Sequence, residues 1–484
     1  MSENRIIRNM FPKILFLFLI CTRSIFYSQN IKIKGKAHLS YKGKSIELLS
    51  IQDHITGLRQ TEASDTIQTD GYFELNMQSN YTQPVILRIN NVIGKLYVSP
   101  DFVYGITIPE LEQAADYRND AELEVNIGVI GKDSTELNAL IFDYQRVYNS
   151  LFLSVGEKYL SRPLIFRKAD SLQLICDKRY AKIKNPYFKS YYQYSIASIN
   201  ASVSRGENYL IGNYIQNKAI QYHHAEYMNF FNSCFSGYLK TVASSRKGET
   251  LFNIINVKGD YHLLNEFMLA EKTMKNDSLR ELVIIKNLWE LYYSAEFDPN
   301  AVRKIVSDIN VETKIEKHRE ITAHMLGYFN KMQNGSPAPM IKARNKTGGI
   351  SDLAELKGKW IYLNFFSTKK TESAREMYKI ASLKKKMGDR LLFVSICTDD
   401  SLSTYTGFIK ANPKLDWNIW YNSDKRIQKN AKESYFVTGS EAYFLIDNNG
   451  YLAQSPALSP SGGIEYKLNS IFKPVRKNIK TGIR

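Results

Sequence analysis

The sequence predicts a multidomain protein with an N-terminal β-sandwich, an all-α middle region and a C-terminal α/β domain. Short alternating apolar runs divided by turn residues fill residues 29–128, and apolar residues at helical spacing fill residues 129–330. After a Gly- and Pro-containing linker at residues 331–345, apolar strands alternate with amphipathic helices over residues 346–475. The length of 484 residues fits about three domains of ordinary size.

The N-terminus has the three parts of a secretory signal peptide. Basic residues precede the apolar run "ILFLFLIC", and the small residue Ser28 follows as a cleavage point. This pattern predicts that residues 1–28 are removed when the protein is exported to the periplasm or cell envelope. The run is much shorter than the ~20 residues that a membrane helix needs. A lipoprotein anchored through Cys21 is the alternative, but Ile20 stands where a small residue is expected.

The predicted β-sandwich and helical region each contain clear local signals. In "SDTIQTDGYFELNMQ", Asp70-Gly71 separates two alternating runs, which predicts a β-hairpin. Asp133 lies three residues before Glu136, a capping-box spacing, and Asp298-Pro299 predicts a second helix start. The aromatic residues of "NPYFKSYYQYSI" are expected to pack between helices, although an exposed partner patch is the alternative.

The C-terminal pattern is typical of a parallel sheet covered on both faces. "KWIYLNFF" and "RLLFVSIC" are continuous apolar strands, and the helix predicted between them places Met377, Ile380, Ala381 and Leu383 on one side. "EAYFLIDNNGYLAQSP" predicts a hairpin around Asn-Asn-Gly. Residues 476–484 form a basic tail.

Several motifs in this region occur in the order of a known family. They are "GSPAP" at residues 335–339, "LNFFS" at Leu363–Ser367, "VSICTDD" and "VTGSEAYFLIDNNG". Over about 140 residues the chain resembles the thioredoxin-like fold, and more closely the TlpA/ResA group of exported thiol-disulfide proteins. Through "DTIQTDGYFEL" and "LYVSPDF", the upstream regions are similar to multidomain TlpA-like proteins from Bacteroidetes. The resemblance implies a thioredoxin-like domain with thiol-disulfide oxidoreductase activity.

The residues that carry this chemistry in the family are replaced here. The family places Trp-Cys-x-x-Cys after the strand, whereas this chain has Lys369 at the Trp position and Lys370 and Ser373 at the two cysteine positions. Glu441 stands where the family has a cis-proline, so a trans peptide bond is expected. Exchange needs a thiolate at the helix N-terminus and a second thiol that resolves the mixed disulfide. The sequence therefore predicts that the redox chemistry is lost.

Lys370 and Glu441 are expected to face each other, and a salt bridge between them is a structural hypothesis. Two interpretations of the turn remain open. Lys369, Lys370, Glu372 and Glu441 could line a polar binding groove. The alternative is a surface that has lost its function.

The three cysteines beyond the signal peptide form neither a C-x-x-C motif nor a zinc ribbon, and their odd number leaves at least one free thiol in a single chain. Cys176, Cys234 and Cys397 are interpreted as small core residues, and whether any of them retains redox activity stays open. Asp399-Asp400 is interpreted as a loop and N-cap pair rather than an acid/base dyad.

Among the remaining motifs, His223-His224-x-Glu226 is interpreted as a solvated helix start rather than a metal site. No cofactor or metal site is predicted. The formal net charge of +17 is compatible with a nucleic-acid or membrane-surface binder, but the basic residues form only short clusters, and an evenly basic surface is favoured.

Together these observations predict an exported cell-envelope protein in which a redox-inactive thioredoxin-like domain acts as a binding or structural module. The predicted partner is an unknown protein or peptide of the envelope, without nucleic acid and without a membrane span in the mature chain. The alternative is a TlpA-like thiol-disulfide oxidoreductase of the cell envelope.

Overall fold

The computed structural model describes residues 29–90, 92–110, 123–131, 134–152, 161–203, 206–294, 296–399, 401–422, 431–437 and 441–472. The predicted signal peptide, the basic tail, Cys21, Asp133 and Asp400 lie outside these residues, as does the peptide bond that precedes Glu441. Within these ranges, no helix combines the length and apolar character needed to cross a membrane.

Two facing sheets form the N-terminal part, which confirms the predicted β-sandwich. The strands are β1 (Gln29–Ala37), β2 (Ser45–Ile51), β3 (Arg59–Thr66), β4 (Tyr72–Ser79), β5 (Gln83–Ile89), β6 (Val92–Val98), β7 (Val103–Ile108), β8 (Leu123–Glu124) and β9 (Gly128–Ile130). In the described part of the chain, one sheet has the order β4-β1-β7-β9 and the other β3-β2-β5-β6-β8. Alternating side chains such as Ile33 and Phe73 from one sheet meet Leu48 and Leu87 from the other in a shared core.

The hairpin predicted around Asp70-Gly71 is wrong in one respect. The turn forms, with Gly71 at φ +87°, but β3 and β4 belong to different sheets, so the connection joins the two layers. Gly71 is required here because a Cβ at this position would lie 2.3 Å from the carbonyl oxygen of Ala37. Alternation alone predicts two strands and a turn, but it does not determine whether the strands pair.

The middle region is helical, as predicted. Its helices are α1 (Leu137–Phe152), α2 (Arg162–Arg179), α3 (Pro186–Ser202), α4 (Glu207–Tyr214), α5 (Ala225–Cys234), α6 (Tyr238–Ala243), α7 (Gly248–Phe252), α8 (Tyr261–Leu269), α9 (Asp277–Leu291), α10 (Pro299–Glu312) and α11 (Glu316–Lys331). A π-helical segment, Asn253–Lys258, follows α7. The aromatic residues of α3 are core residues as expected, because Phe188, Tyr191, Tyr192 and Tyr194 are buried.

The predicted helix starts are partly confirmed. Asp298 caps α10 by accepting the N–H of Asn300, with Pro299 at the first helical position. At α1 the side chain of Glu136 accepts the N–H groups of Asn138 and Ala139, at 2.9 and 3.1 Å. Glu136 therefore satisfies the first free N–H groups of α1, and the predicted capping box stays a prediction because Asp133 lies outside the described residues.

The C-terminal part alternates strands and helices around one sheet. Its elements are β10 (Lys342–Arg344), β11 (Ile350–Asp352), β12 (Trp360–Phe366), α12 (Thr371–Met387), β13 (Leu391–Cys397), α13 (Leu402–Ala411), β14 (Asn418–Tyr421), α14 (Ala431–Ser434), β15 (Ala442–Ile446), β16 (Leu452–Gln454) and α15 (Ile464–Ile471). Over the described strands the order is β11-β10-β14-β13-β12-β15-β16. Central β12 runs parallel to β13 and antiparallel to β15.

The two faces of this sheet pack against different partners. Tyr362 and Phe366 of β12 share a core with α12, α13 and α15. Leu363 and Phe365 point to the opposite face and belong to a core that continues into the helical region. Tyr328 of α11 meets the ring of Phe436 there, with centroids 4.4 Å apart. The helical region therefore covers much of the second face of the C-terminal sheet.

A loop of the β-sandwich inserts into the same helical region. Ile55, between β2 and β3, belongs to the large helical core. Next to it, Asp53 accepts the N–H groups of Ile55 and Thr56 and lies 2.7 Å from Nδ1 of His324 on α11. The main-chain oxygen of His54 accepts a 2.7 Å hydrogen bond from the Asn232 amide. The three parts of the chain thus contact one another through α11, while the predicted boundaries between them stay predictions.

Candidate functional site

The candidate site lies where two parallel strands end. β12 and β13 run side by side, with Phe366 paired with Cys397 in the last register position. Because the carboxyl ends of parallel strands meet at one edge of a sheet, the turn before α12 lies beside the segment that follows β13. The N–H of Thr398 donates a 2.8 Å hydrogen bond to the carbonyl oxygen of Phe366 and closes this junction.

The carboxylate of Asp399 holds the turn before α12. The Ser367 hydroxyl donates to Oδ1 of Asp399 at 2.5 Å, and the Thr368 N–H donates to Oδ2 at 3.0 Å. The Thr368 hydroxyl also donates to Oδ2. Burial alone would raise the pKa of Asp399, but these hydrogen bonds together outweigh it and lower the pKa below its ordinary value. Asp399 is therefore an ionised group that fixes the turn at neutral pH.

The two positions that hold cysteines in the resembling family differ in environment. Lys370 occupies the N-cap position of α12 and is exposed, as are Lys369 and Glu372. Ser373 is buried, and its hydroxyl oxygen accepts the N–H of Ser367 at 2.9 Å. The second position therefore carries a hydroxyl that ties the first turn of α12 to the end of β12.

Glu441 lies near this helix start, half-buried. Burial raises the pKa of Glu441 above its ordinary value, and the Ser373 hydroxyl, Lys370 and Lys240 oppose the rise. Lys370 is thus near enough for its charge to act on Glu441, as the predicted juxtaposition requires. However, the ion pairs within the described ranges do not include a direct Lys370–Glu441 bridge, so the salt-bridge hypothesis is wrong. Lys240 comes from α6 of the helical region, which sequence patterns did not place near the site.

Cys397 is the cysteine nearest to the turn. Its side chain is fully buried, and burial raises the pKa of the thiol to about 12. Cys176, in the helical region, is also buried, and burial likewise raises its pKa to about 12. Cys234 is only partly buried, but it packs against the helical core, which agrees in part with the core role expected of it. Cys176 and Cys397 would therefore be almost wholly protonated and poorly nucleophilic at neutral pH.

Two other interpretations require correction. At α13 the N-cap residue is Ser401, which accepts the N–H of Thr404, so Asp399 is not the cap, and Asp400 lies outside the described residues. At α5 the expected solvated start is wrong, because His224 is a buried N-cap residue whose ring stacks on Tyr187. Over the described part of the chain, no group of three or more His, Cys, Asp or Glu side chains is placed to hold a metal ion.

The role of Asp399 in holding the turn could have been predicted from the residues that follow the two strands, but only with knowledge of which strands are neighbours. Ser367 and Thr368 follow one parallel strand, and Asp399 follows the neighbouring one. Once β12 and β13 are known to be adjacent, hydroxyls at the end of one strand are expected to meet a carboxylate at the end of the other. Without knowledge that β12 and β13 are adjacent, the Asp399-Asp400 dipeptide predicts only an ordinary loop.

Comparison with known proteins supports the fold of the C-terminal part. Residues 334–455 match the AhpC/TSA family. This match and the sheet order confirm the predicted thioredoxin-like domain at the C-terminus. No curated protein matches the chain.

Solved structures are similar to parts of the chain. A putative thiol-disulfide oxidoreductase from Bacteroides vulgatus is 24% identical, covers 29% of this chain and 98% of its own, and has a TM-score of 0.27. A putative thiol:disulfide interchange protein DsbE from Chlorobium tepidum is 19% identical, with coverages of 28% and 94% and a TM-score of 0.25. A thioredoxin-like protein from Bacteroides caccae is 14% identical, with coverages of 50% and 93% and a TM-score of 0.36.

Proposed function

We propose that this is an exported cell-envelope protein whose thioredoxin-like domain is a binding or structural module without thiol-disulfide exchange activity. The observation that carries the proposal is the chemistry at the start of α12. Lys370 and Ser373 supply an ammonium and a buried hydroxyl where exchange needs a thiolate and a resolving thiol. The turn before them is held by Asp399, so the local fold does not depend on a disulfide.

Export is supported by the predicted signal peptide. Predicted cleavage after Ser28 would leave Gln29 as the first residue of the mature chain. The mature chain would keep β1 whole as described, with its pairing to β4 and to β7. N-terminal sequencing of protein recovered from the periplasm or envelope tests this. A mature N-terminus at Gln29 supports export by ordinary cleavage, and one at Cys21 would instead indicate lipidation.

The proposed binding surface is the groove of Lys369, Lys370, Glu372 and Glu441. Three of these side chains are exposed at the start of α12, and the fourth lies half-buried beside them. Exposed groups of both signs favour a partner that presents complementary charges, as a protein or peptide surface does. Exposed pairs contribute little to stability, about 0–1 kcal/mol each, so these side chains can be replaced without unfolding the domain.

A photocrosslinking amino acid at position 370 tests whether anything binds there. The matched control carries the same amino acid at position 385, because Lys385 is exposed on the same helix but lies away from the groove. We expect a discrete crosslinked protein or peptide in envelope extract at position 370, weaker at position 385, and suppressed by excess unlabelled protein. Equal crosslinking at the two positions, or no competition, would contradict a specific site.

The alternative function is a TlpA-like thiol-disulfide oxidoreductase. The match to the AhpC/TSA family favours it. Such an enzyme would have to act through Cys397, because the other two described cysteines lie in the helical region. Cys397 is the last residue of β13 and interacts with Asp399. Incubation in glutathione buffers of graded redox potential, followed by intact mass measurement, separates the two functions. A reversible disulfide or glutathione adduct at Cys397 would support the enzyme, and an unchanged thiol supports the binding module.

A further inference from the structure

A second candidate site lies in the helical region, beyond the function proposed above. A cavity of about 530 Å³ opens between α4, α5 and α6. Its described lining includes Ser233, Cys234, Ser236, Thr241 and Ser245, with apolar and charged residues around them. Small-molecule sites usually measure roughly 300–1,000 Å³ and combine apolar walls with a few polar groups, and this cavity has both properties.

The serine and threonine hydroxyl groups of the described lining use their own hydrogens inside the protein. Ser233 donates to the carbonyl oxygen of Asn229, and Thr241 donates to that of Gly237. Ser245 donates to the carbonyl oxygen of Val242, and Ser236 to the carboxylate of Glu290. Each hydroxyl oxygen keeps a lone pair that can accept a hydrogen bond. The wall is therefore rich in acceptors, which favours a ligand that donates.

The charges of the lining neutralise each other. Lys247 and Glu271, the charged residues of the described lining, form an ion pair with 2.5 Å between Nζ and Oε1. Among the described lining residues the one cation, Lys247, is already paired, so an anionic ligand would face acceptor oxygens there and desolvating its charge would oppose binding. Leu210 and Val242 supply apolar surface, and Tyr238 supplies an aromatic ring. This combination suits an uncharged ligand with an apolar body.

We propose that this cavity is a binding site for an uncharged small molecule that has an apolar body and carries hydroxyl or amide N–H donors. The cavity is separate from the groove at α12. Lys240 of α6 acts on Glu441, whereas Tyr238, Thr241 and Val242 of the same helix line the cavity.

Cys234 supplies a local reporter for occupancy. It is partly buried in the cavity wall, whereas Cys176 and Cys397 are fully buried with their pKa values raised to about 12. Iodoacetamide should therefore alkylate Cys234 selectively in the folded chain, and a ligand in the cavity should slow that reaction. Peptide mass spectrometry locates the adduct.

Three ligands of one size form the test set. 2-Naphthol is uncharged and donates, 2-methoxynaphthalene is uncharged and only accepts, and 2-naphthoate is anionic. We expect 2-naphthol to protect Cys234 at concentrations roughly three- to tenfold lower than 2-methoxynaphthalene, the difference that one net hydrogen bond makes. 2-Naphthoate should protect least. Equal protection by all three, or none up to their solubility limits, would overturn the proposal.

Matched variants localise the effect. Ser233→Ala with Thr241→Val removes two acceptor oxygens from the wall and should abolish the preference for 2-naphthol over 2-methoxynaphthalene. Ser244→Ala is the control, because Ser244 makes the same kind of hydrogen bond, to the carbonyl oxygen of Lys240, but does not belong to the described lining. Preference retained in the double variant, or lost in the control, would contradict the assignment. Calorimetric titration of 2-naphthol provides a second readout that does not depend on Cys234.

Discussion

The hydroxyl of Ser367 donates a 2.5 Å hydrogen bond to Oδ1 of Asp399, joining the residue after β12 to a residue just beyond β13. The backbone N–H of Thr368 occupies the second carboxylate oxygen at 3.0 Å, and both Ser367 and Asp399 are buried. Ser367 also receives a hydrogen bond from the N–H of Lys369 and donates its own N–H to Ser373. The start of α12 is thus fixed by a polar network that needs no cysteine.

Replacing Asp399 tests this network. In Asp399→Asn one acceptor oxygen becomes an NH₂ group, which would face a donor of Ser367 or Thr368. Because a buried donor left unsatisfied costs about 1–3 kcal/mol, we expect the free energy of unfolding to fall by that amount. Urea denaturation followed by circular dichroism measures it. Asp389→Asn, at an exposed position before β13, is the control and should change the midpoint little. Equal midpoints for the two variants would show that the network does not stabilise the turn.

Glu226 should make stability depend on pH. Its Oε1 accepts a 2.8 Å hydrogen bond from the Tyr97 hydroxyl of the β-sandwich, and burial raises the pKa of Glu226 to about 7. In the unfolded chain the group ionises near its ordinary value of 4.5. The folded state therefore binds more protons between about pH 4.5 and 7, so this residue's contribution to stability is complete below pH 4.5 and lost as pH rises through 7.

Glu226→Gln removes that titration while keeping an oxygen for Tyr97. We expect the variant to match the wild-type protein near pH 4.5 and to exceed its free energy of unfolding by about 3 kcal/mol at pH 8. Thermal denaturation across this pH range measures the difference. A constant offset between the two proteins at every pH would mean that Glu226 is already ionised in the folded state.

The loop between β2 and β3 inserts into the helical region, so a substitution in this loop should destabilise the packing of the helices. Ile55 is 8% exposed and belongs to the helical core, although it lies between two strands of the sandwich. Ile55→Ala should therefore lower the free energy of unfolding by about 2–4 kcal/mol, as for other buried Ile residues. Ile130→Ala, at a position 54% exposed in β9, is the matched control and should have a small effect. Similar losses in the two variants would argue against insertion of the loop.

Local patterns in the sequence predicted the strands and helices where burial depends on neighbours along the chain. The apolar run Trp360–Phe366 forms a strand whose two faces are both covered. In α12, helical spacing places Met377, Ile380 and Leu383 on the side that is buried. Insertion of Ile55 into the helical core, and the burial of Glu226 under Tyr97, depend on contacts between segments far apart in sequence. No periodicity encodes such contacts.

At the candidate site, the sequence predicted the residues at the start of α12 but not those that reach the site from other parts of the fold. Alignment of "LNFFST" placed Lys370 and Ser373 at the start of the helix, where the structure has them. The proximity of Lys370 to Glu441 was also expected, but the described ion pairs do not include a direct bridge between them, and Ser373 and Lys240 also act on Glu441. Lys240 was missed because it reaches the site from a different part of the fold.

Reduction of insulin by dithiothreitol tests the central claim most directly. The mature protein is compared with its Cys397→Ser variant and with a Lys370→Cys/Ser373→Cys variant that restores two thiols at the start of α12. We predict that the wild-type protein and Cys397→Ser leave the rate at its uncatalysed level, because the Cys397 thiol is buried with its pKa raised to about 12. Clear catalysis by the wild-type protein that Cys397→Ser abolishes would contradict a redox-inactive domain.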